Sequence, residues 1–131
     1  MTDELAKFNK KILIVDDDKA VRDFLRIFLE KKGFLNITQA ASAEQALITL
    51  AQESDIKLVL LDIMLPDANG LDLLPKIFGI IKDIGIIMIT GYPDEERAKK
   101  ALKLGAYDYI IKPFDLAYLE LSLNTKLIKM I

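Results

Sequence analysis

Four apolar runs in this chain end on residues that can do chemistry. ILIV at positions 12–15 runs into Asp16, Asp17 and Asp18, and LVLL at positions 58–61 runs into Asp62. IIMI at positions 86–89 ends at Thr90, and YII at positions 109–111 ends at Lys112 and Pro113. Carboxylates crowded together repel one another unless a cation neutralises them. Hard carboxylate oxygens without histidine or cysteine select Mg²⁺ or a similar ion. A carboxylate beside such an ion can act as a nucleophile towards phosphorus. A transferred phosphoryl group spreads negative charge over its oxygens, and each oxygen needs an electropositive partner. Mg²⁺, the Lys112 ammonium, and the Thr90 hydroxyl with nearby backbone N–H groups could supply those partners. The residue types therefore point to covalent phosphoryl chemistry on an aspartate.

That chemistry requires the four run ends to converge. Short apolar runs alternating with amphipathic segments read as buried parallel strands. In an open parallel sheet, ligands bind just outside the carboxyl ends of the strands. The first strand is expected over residues 11–16. Asp18 caps a helix through Val21, Phe24, Leu25, Phe28 and Leu29, and Gly33 stops it. A weaker strand falls within 34–40, and Ser42 caps a helix carrying Ala46, Leu47 and Leu50. The third strand is expected over 58–62, followed by the turn LPDANG (65–70) and a helix through Leu71, Leu74, Ile77 and Phe78. Gly85 opens the fourth strand. Pro93 and Asp94 start a fourth helix with Ala98, Ala101 and Leu102 facing in, and Gly105 ends it. The fifth strand is expected over 106–111, and Asp115 opens the last helix. Five strands alternating with five helices imply one α/β domain with a parallel sheet and right-handed crossovers.

Composition removes several alternatives. The 131 residues are 52% hydrophobic, enough for a single core, and the absence of cysteine rules out disulfides and thiolate chemistry. The chain has no histidine, which excludes Ser/His/Asp triads and histidine metal ligands. A net charge of −2 gives no sign of nucleic-acid binding. No apolar run approaches the roughly 18 residues a membrane helix needs, and the N-terminus lacks a signal-peptide core, so a soluble cytoplasmic protein is expected.

The motifs ILIVDDD, LVLLDIMLPDANG, IIMITGY and GAYDYIIKPF together resemble the receiver domain of bacterial two-component response regulators. The likeness runs in register through most of the chain. It implies a flavodoxin-like (βα)5 doubly wound sheet of strand order 2-1-3-4-5, with 11–131 the receiver domain; residues 1–10, polar up to about Asn9, are expected to form a flexible lead-in. It further implies that Asp62 is the phosphoacceptor and that Asp16 and Asp17 are the acidic pair binding Mg²⁺. Asp62 and the backbone carbonyl of Met64 would complete the protein's share of the metal site. Thr90 and Lys112 match the phosphoryl-contacting hydroxyl and amine, and Tyr109 matches the aromatic switch residue. The Lys112–Pro113 bond is cis in the family. The implied partner is a sensor histidine kinase or a histidine phosphotransfer protein, and the implied role is a signalling switch rather than a turnover enzyme.

The resemblance further implies that Met64, two past the acceptor, and Tyr92, two past Thr90, border the route by which water reaches the phosphoryl group. Neither can orient an attacking water, which points to slow self-dephosphorylation. In the last helix, Leu116, Leu119, Leu123 and Leu127 should pack on the sheet. Ala117, Leu121 and Ile128 form a second stripe, suited to a phosphorylation-dependent homodimer or a downstream output domain through the face of helix four, strand five and helix five. Four competing readings fit less well. Haloacid-dehalogenase-type aspartyl phosphatases use DxDx followed by Thr or Val, and Asp16 and Asp18 fit, but Ala20 occupies the last position. A flavin carrier would have its phosphate repelled by DDDKA. A calcium loop from Asp67 and Asn69 meets Phe78 where Glu is required. A degenerate receiver that only docks would not need every chemical position filled.

Overall fold

In the computed structural model, residues 9–91 and 94–129 are described, so the expected flexible lead-in and Tyr92 lie largely or wholly outside the described residues. The strands are β1 (Lys11–Val15), β2 (Ile37–Ala40), β3 (Ile56–Asp62), β4 (Gly85–Thr90) and β5 (Asp108–Ile111). The helices are α1 (Lys19–Lys31), α2 (Ala43–Gln52), α3 (Gly70–Ile80), α4 (Glu95–Lys103) and α5 (Leu116–Lys129). All strand pairings are parallel, in the order β2-β1-β3-β4-β5. This is the doubly wound order expected from the resemblance, and its switch point lies between β1 and β3.

Alternate residues of each buried strand feed two separate cores. Leu13, Val15, Val59, Leu61, Ile86 and Met88 pack under α2, α3 and α4, while Ile12, Ile14, Leu58, Leu60, Ile87 and Ile89 pack under α1 and α5. Both faces of the sheet are covered, so its strands are apolar throughout. The helices begin where polar side chains can take up free amides. Asp18, Ser42, Asn69 and Asp94 each accept from backbone N–H groups of the following turn. Gly33 and Gly105 follow the ends of α1 and α4 with φ of 97° and 109°, the left-handed region in which a Cβ is strained.

Three apolar residues depart from the expected inward stripes. Leu102 on α4 is 51% exposed, and Leu116 at the start of α5 and Phe24 on α1 are also exposed. Periodicity sets the angles between residues on one helix, whereas packing sets the helix's rotation about its axis. In α4 only Ala101 is buried, so Leu102 falls to the outside. Phe24 turns towards the β5–α5 loop and stacks on Phe114, with ring centroids 6.1 Å apart.

Candidate functional site

The strand register brings the chemical residues together. Val15 pairs with Leu61, Asp62 with Ile89, and Thr90 with Ile111, so Asp16, Asp62, Thr90 and Lys112 all lie at one edge of the sheet. Asp16, Asp62 and Thr90 are buried, and Asp17 is exposed beside them. Carboxylate oxygens of Asp16, Asp17 and Asp62 lie within 4.8 Å of one another. Lys112 Nζ donates to Asp16 Oδ2 at 2.8 Å and reaches Asp62 Oδ2 at 3.4 Å.

Local bonds fix each of these groups. Asp16 Oδ1 accepts from the Asp18 amide at 2.9 Å, and Asp62 Oδ1 accepts from the Met64 amide at 3.2 Å. The Lys112 amide donates to the Thr90 carbonyl at 2.7 Å, which carries β5's pairing past its last strand residue. The next peptide bond, Lys112–Pro113, is cis, as the resemblance implies. Phe114 follows and is held by the Phe24 stack, so α1 braces the loop that carries the lysine.

The electrostatics follow from that geometry. Burial is the largest influence on Asp62 and raises its pKa; the Lys112 charge pulls it back, and the Asp16 charge raises it again. The net direction is upward, so ionised Asp62 is held at a cost. Burial alone would lower the Lys112 pKa, but the hydrogen bond and charge of Asp16, with the charge of Asp62, carry it above the ordinary lysine value. Lys112 is thus a fixed cation at neutral pH. Three carboxylates against one ammonium leave a surplus of two negative charges when all are ionised.

That surplus, and a donor set made only of hard oxygen, fits a divalent cation such as Mg²⁺. The Met64 carbonyl suits the same role. Met64 and Asn69 form an isolated bridge whose bonds run from Leu65 N–H to Ala68 and from Gly70 N–H to Ile63, so neither uses it. The Met64 side chain is exposed. Tyr109 is half-buried against the core under α2, α3 and α4, on the same sheet face as Thr90. Burial, with the nearby Asp94 charge, raises its phenol pKa. Next to it, Asp108 Oδ2 accepts from Tyr118 Oη and Ser122 Oγ, each at 2.7 Å, which clasps β5 to α5.

Three contributors escaped the sequence reading. Arg22 Nη1 donates to the Asp16 carbonyl at 2.7 Å and its Nε to Gln39 at 3.2 Å, tying α1 and β2 to the acidic edge. A cation one turn after the acidic run was the available signal. Asp67 accepts from the Ala43 and Glu44 amides at 2.9 and 3.0 Å, so it caps α2 across a long sequence gap that no local pattern reveals. Asn69 caps α3, and with Asp67 also engaged, both side chains of the weighed calcium loop serve helix ends. Gly70 is the third. A Cβ there would lie 2.3 Å from the Asp62 carbonyl oxygen and 2.8 Å from Ile63 Cα. The glycine in LPDANG, read as turn punctuation, instead lets α3 press against the backbone of Asp62. Asp18, the second aspartate of the dehalogenase-type reading, accepts from the Ala20 amide at 2.9 Å as the cap of α1.

The sequence profile of the response regulator receiver domain matches residues 12–124. Response regulator SaeR of Staphylococcus epidermidis is 38% identical over 119 residues, covering 91% of this chain and 51% of that protein. Transcriptional regulatory protein AruR of Pseudomonas aeruginosa is 39% identical over 109 residues, covering 80% of this chain and 44% of that protein. The chain thus spans about half the length of these curated relatives. A CheY-like response regulator receiver domain protein of Methanospirillum hungatei superposes with a TM-score of 0.85 at 38% identity, covering 92% of this chain and 94% of that one. A Burkholderia pseudomallei response regulator solved with a phosphorylated aspartic acid superposes with a TM-score of 0.82 at 27% identity, covering 93% and 71%.

Proposed function

This chain belongs to the response regulator receiver family, and from that membership we propose that Asp62 is the residue phosphorylated when it acts as a two-component signalling switch. One observation carries the assignment: Lys112 reaches both Asp16 and Asp62 at the sheet edge where Thr90 also ends its strand. Asp62 Oδ attacks the phosphorus of a phosphohistidine, its P–O bond forming as the P–N bond breaks and the imidazole leaves. These 131 residues contain no histidine, so the phosphohistidine comes from outside them, from a sensor histidine kinase or a histidine phosphotransfer protein. Asp16, Asp17, Asp62 and the Met64 carbonyl would hold Mg²⁺, which would supply positive charge to offset that of the incoming phosphoryl oxygens. The Lys112 ammonium takes a second oxygen, and the Thr90 hydroxyl moves to a third.

Output follows from the same residues. As Thr90 turns towards the phosphoryl group, Tyr109 rotates into the space on its sheet face, and α4, β5 and α5 present a changed surface. Such a switch needs two packings separated by only a few kcal/mol. The changed face engages a second copy or a downstream output domain, in keeping with relatives about twice this chain's length. No helix among the described residues is long and apolar enough to cross a membrane. The test is intact mass after incubation with acetyl phosphate and Mg²⁺. The parent should gain one phosphoryl group, Asp62→Asn none, and EDTA should block the gain. Undiminished labelling of Asp62→Asn would overturn the assignment.

A further inference from the structure

The opposite edge of the sheet carries a second charged concavity, of the other sign. A cavity of about 680 Å³ opens where β3 and β4 begin, lined by Lys10, Lys57, Lys82, Lys126 and Lys129, with Phe78 in its wall. Among the described residues Asp83 is the one acidic residue lining it, so five ammoniums less one carboxylate give those residues a local charge of +4, in a chain whose net charge is −2. β3 runs from Ile56 at this cavity to Asp62 at the acidic edge. Six steps of about 3.3 Å put roughly 20 Å between the two. The cavity is not part of the phosphorylation site.

Among the described residues the cavity lysines have no carboxylate partner, a condition they share with Lys31, Lys76, Lys100 and Lys103, but they alone line this one concavity. Lys11, Lys19, Lys32, Lys99 and Lys112 each form a salt bridge with a carboxylate, and none of the five cavity lysines does so among the described residues. Lys57 feels Asp55 only at longer range, and Asp55 is itself bridged to Lys11. Lys126 and Lys129 instead share one aromatic ring, with Nζ 5.2 and 5.3 Å from the centre of Tyr107. Two like charges on one ring repel, and an anion between them relieves the repulsion.

The backbone accommodates the arrangement at two glycines. The Lys126 stem lies across Gly85, where a Cβ would come within 2.9 Å of its Cγ and Cε. Gly105, at positive φ, lies against the Phe78 ring, 3.0 Å from where its Cβ would be. The volume falls in the range of small-molecule sites. A concavity of that size lined by several lysines suits a compact oligoanion better than an extended polymer, which needs a stripe.

We propose that this basal cavity binds a compact polyphosphate group, carried by a nucleoside triphosphate or free as inorganic tripolyphosphate. The test is a titration of isotope-labelled protein followed by amide NMR. EDTA keeps metal-bridged phosphate away from Asp16, Asp17 and Asp62. Tripolyphosphate should give saturable shifts at residues 57, 82–85 and 126–129. Lys57, Lys82 and Lys129 are exposed, so Lys57→Gln/Lys82→Gln/Lys129→Gln should fold and label on Asp62 at the parent's rate. It should bind tripolyphosphate at least about tenfold more weakly, having lost three cation contacts. Tighter binding of a nucleoside triphosphate than of tripolyphosphate identifies the nucleotide as the source; the reverse identifies the inorganic anion. The proposal is overturned by the absence of saturable shifts, by shifts confined to the acidic edge, or by equal affinity in the triple variant. It is equally overturned if duplex DNA or an acidic peptide binds these amides more tightly than tripolyphosphate does.

Discussion

Two glycines of α3 should respond to the same substitution with opposite signs. At Gly70, an added Cβ would lie 2.3 Å from the Asp62 carbonyl oxygen, where ordinary contact begins at 3.4 Å, a shortfall of 1.1 Å. The second contact, Ile63 Cα at 2.8 Å, is also backbone, so no flexible side chain can yield. The helix and the end of β3 must separate, breaking the 2.6 Å bond from the Gly70 amide to the Ile63 carbonyl. Overpacking of this kind costs about 1–3 kcal/mol. At Gly79 nothing lies within 4 Å of the same added atom, and the residue is exposed. There Gly79→Ala should gain about 0.5–1 kcal/mol from helix propensity alone. For a domain of this size each kcal/mol moves Tm by roughly 3–5 °C. Urea unfolding of the two variants should therefore move the midpoint in opposite directions. Gly70→Ala should also slow labelling of Asp62 by acetyl phosphate about 100-fold, since a displacement near 1 Å misaligns the nucleophile. Parent-like stability and labelling in Gly70→Ala would refute the idea that close backbone approach positions the acceptor.

Three further outcomes follow. Asp62 has a raised pKa in the folded state, so the native form binds its proton more tightly than the unfolded chain, and stability falls as pH rises from about 4 through that raised value. Asp62→Asn should then have a higher Tm than the parent at pH 7, with the gap closing below about pH 4 in calorimetry; Lys112 keeps Asp16 as its partner in the variant. Met64 is exposed two residues past Asp62 and its thioether cannot orient an attacking water, so Met64→Asn or Met64→Glu should shorten the phosphoprotein lifetime several-fold by intact mass, and an unchanged lifetime would remove Met64 from that role. Leu121 is 62% exposed on α5, and beryllofluoride with Mg²⁺ should increase self-association in sedimentation, an increase that Leu121→Glu abolishes; a monomer in both states would leave the stripe as plain surface.

By itself the sequence determined the alternation of strands and helices, because buried parallel strands must be apolar on both faces and helix starts must satisfy free amides. ILIV, LVLL and IIMI could be nothing else at this length, and Asp18, Ser42 and Gly105 mark helix ends through local bonds within a few residues. It also placed Asp16, Asp62, Thr90 and Lys112 at strand ends, because apolar runs stop there. The order of the strands and the identity of the family came from the motifs together, not from their periodicity. Only the tertiary structure decided that Lys112 bridges two aspartates lying 96 and 50 residues away. It alone showed that Asp67 caps a helix 24 residues before it, that Arg22 holds the Asp16 carbonyl, and that five lysines meet at the far edge. It also turned Leu102, Leu116 and Phe24 outward. The physical reason is common to all of them. Local pattern fixes hydrogen bonds and spacing within one element, while contacts between elements depend on register, helix rotation and the closeness of backbones, which packing of the whole chain selects.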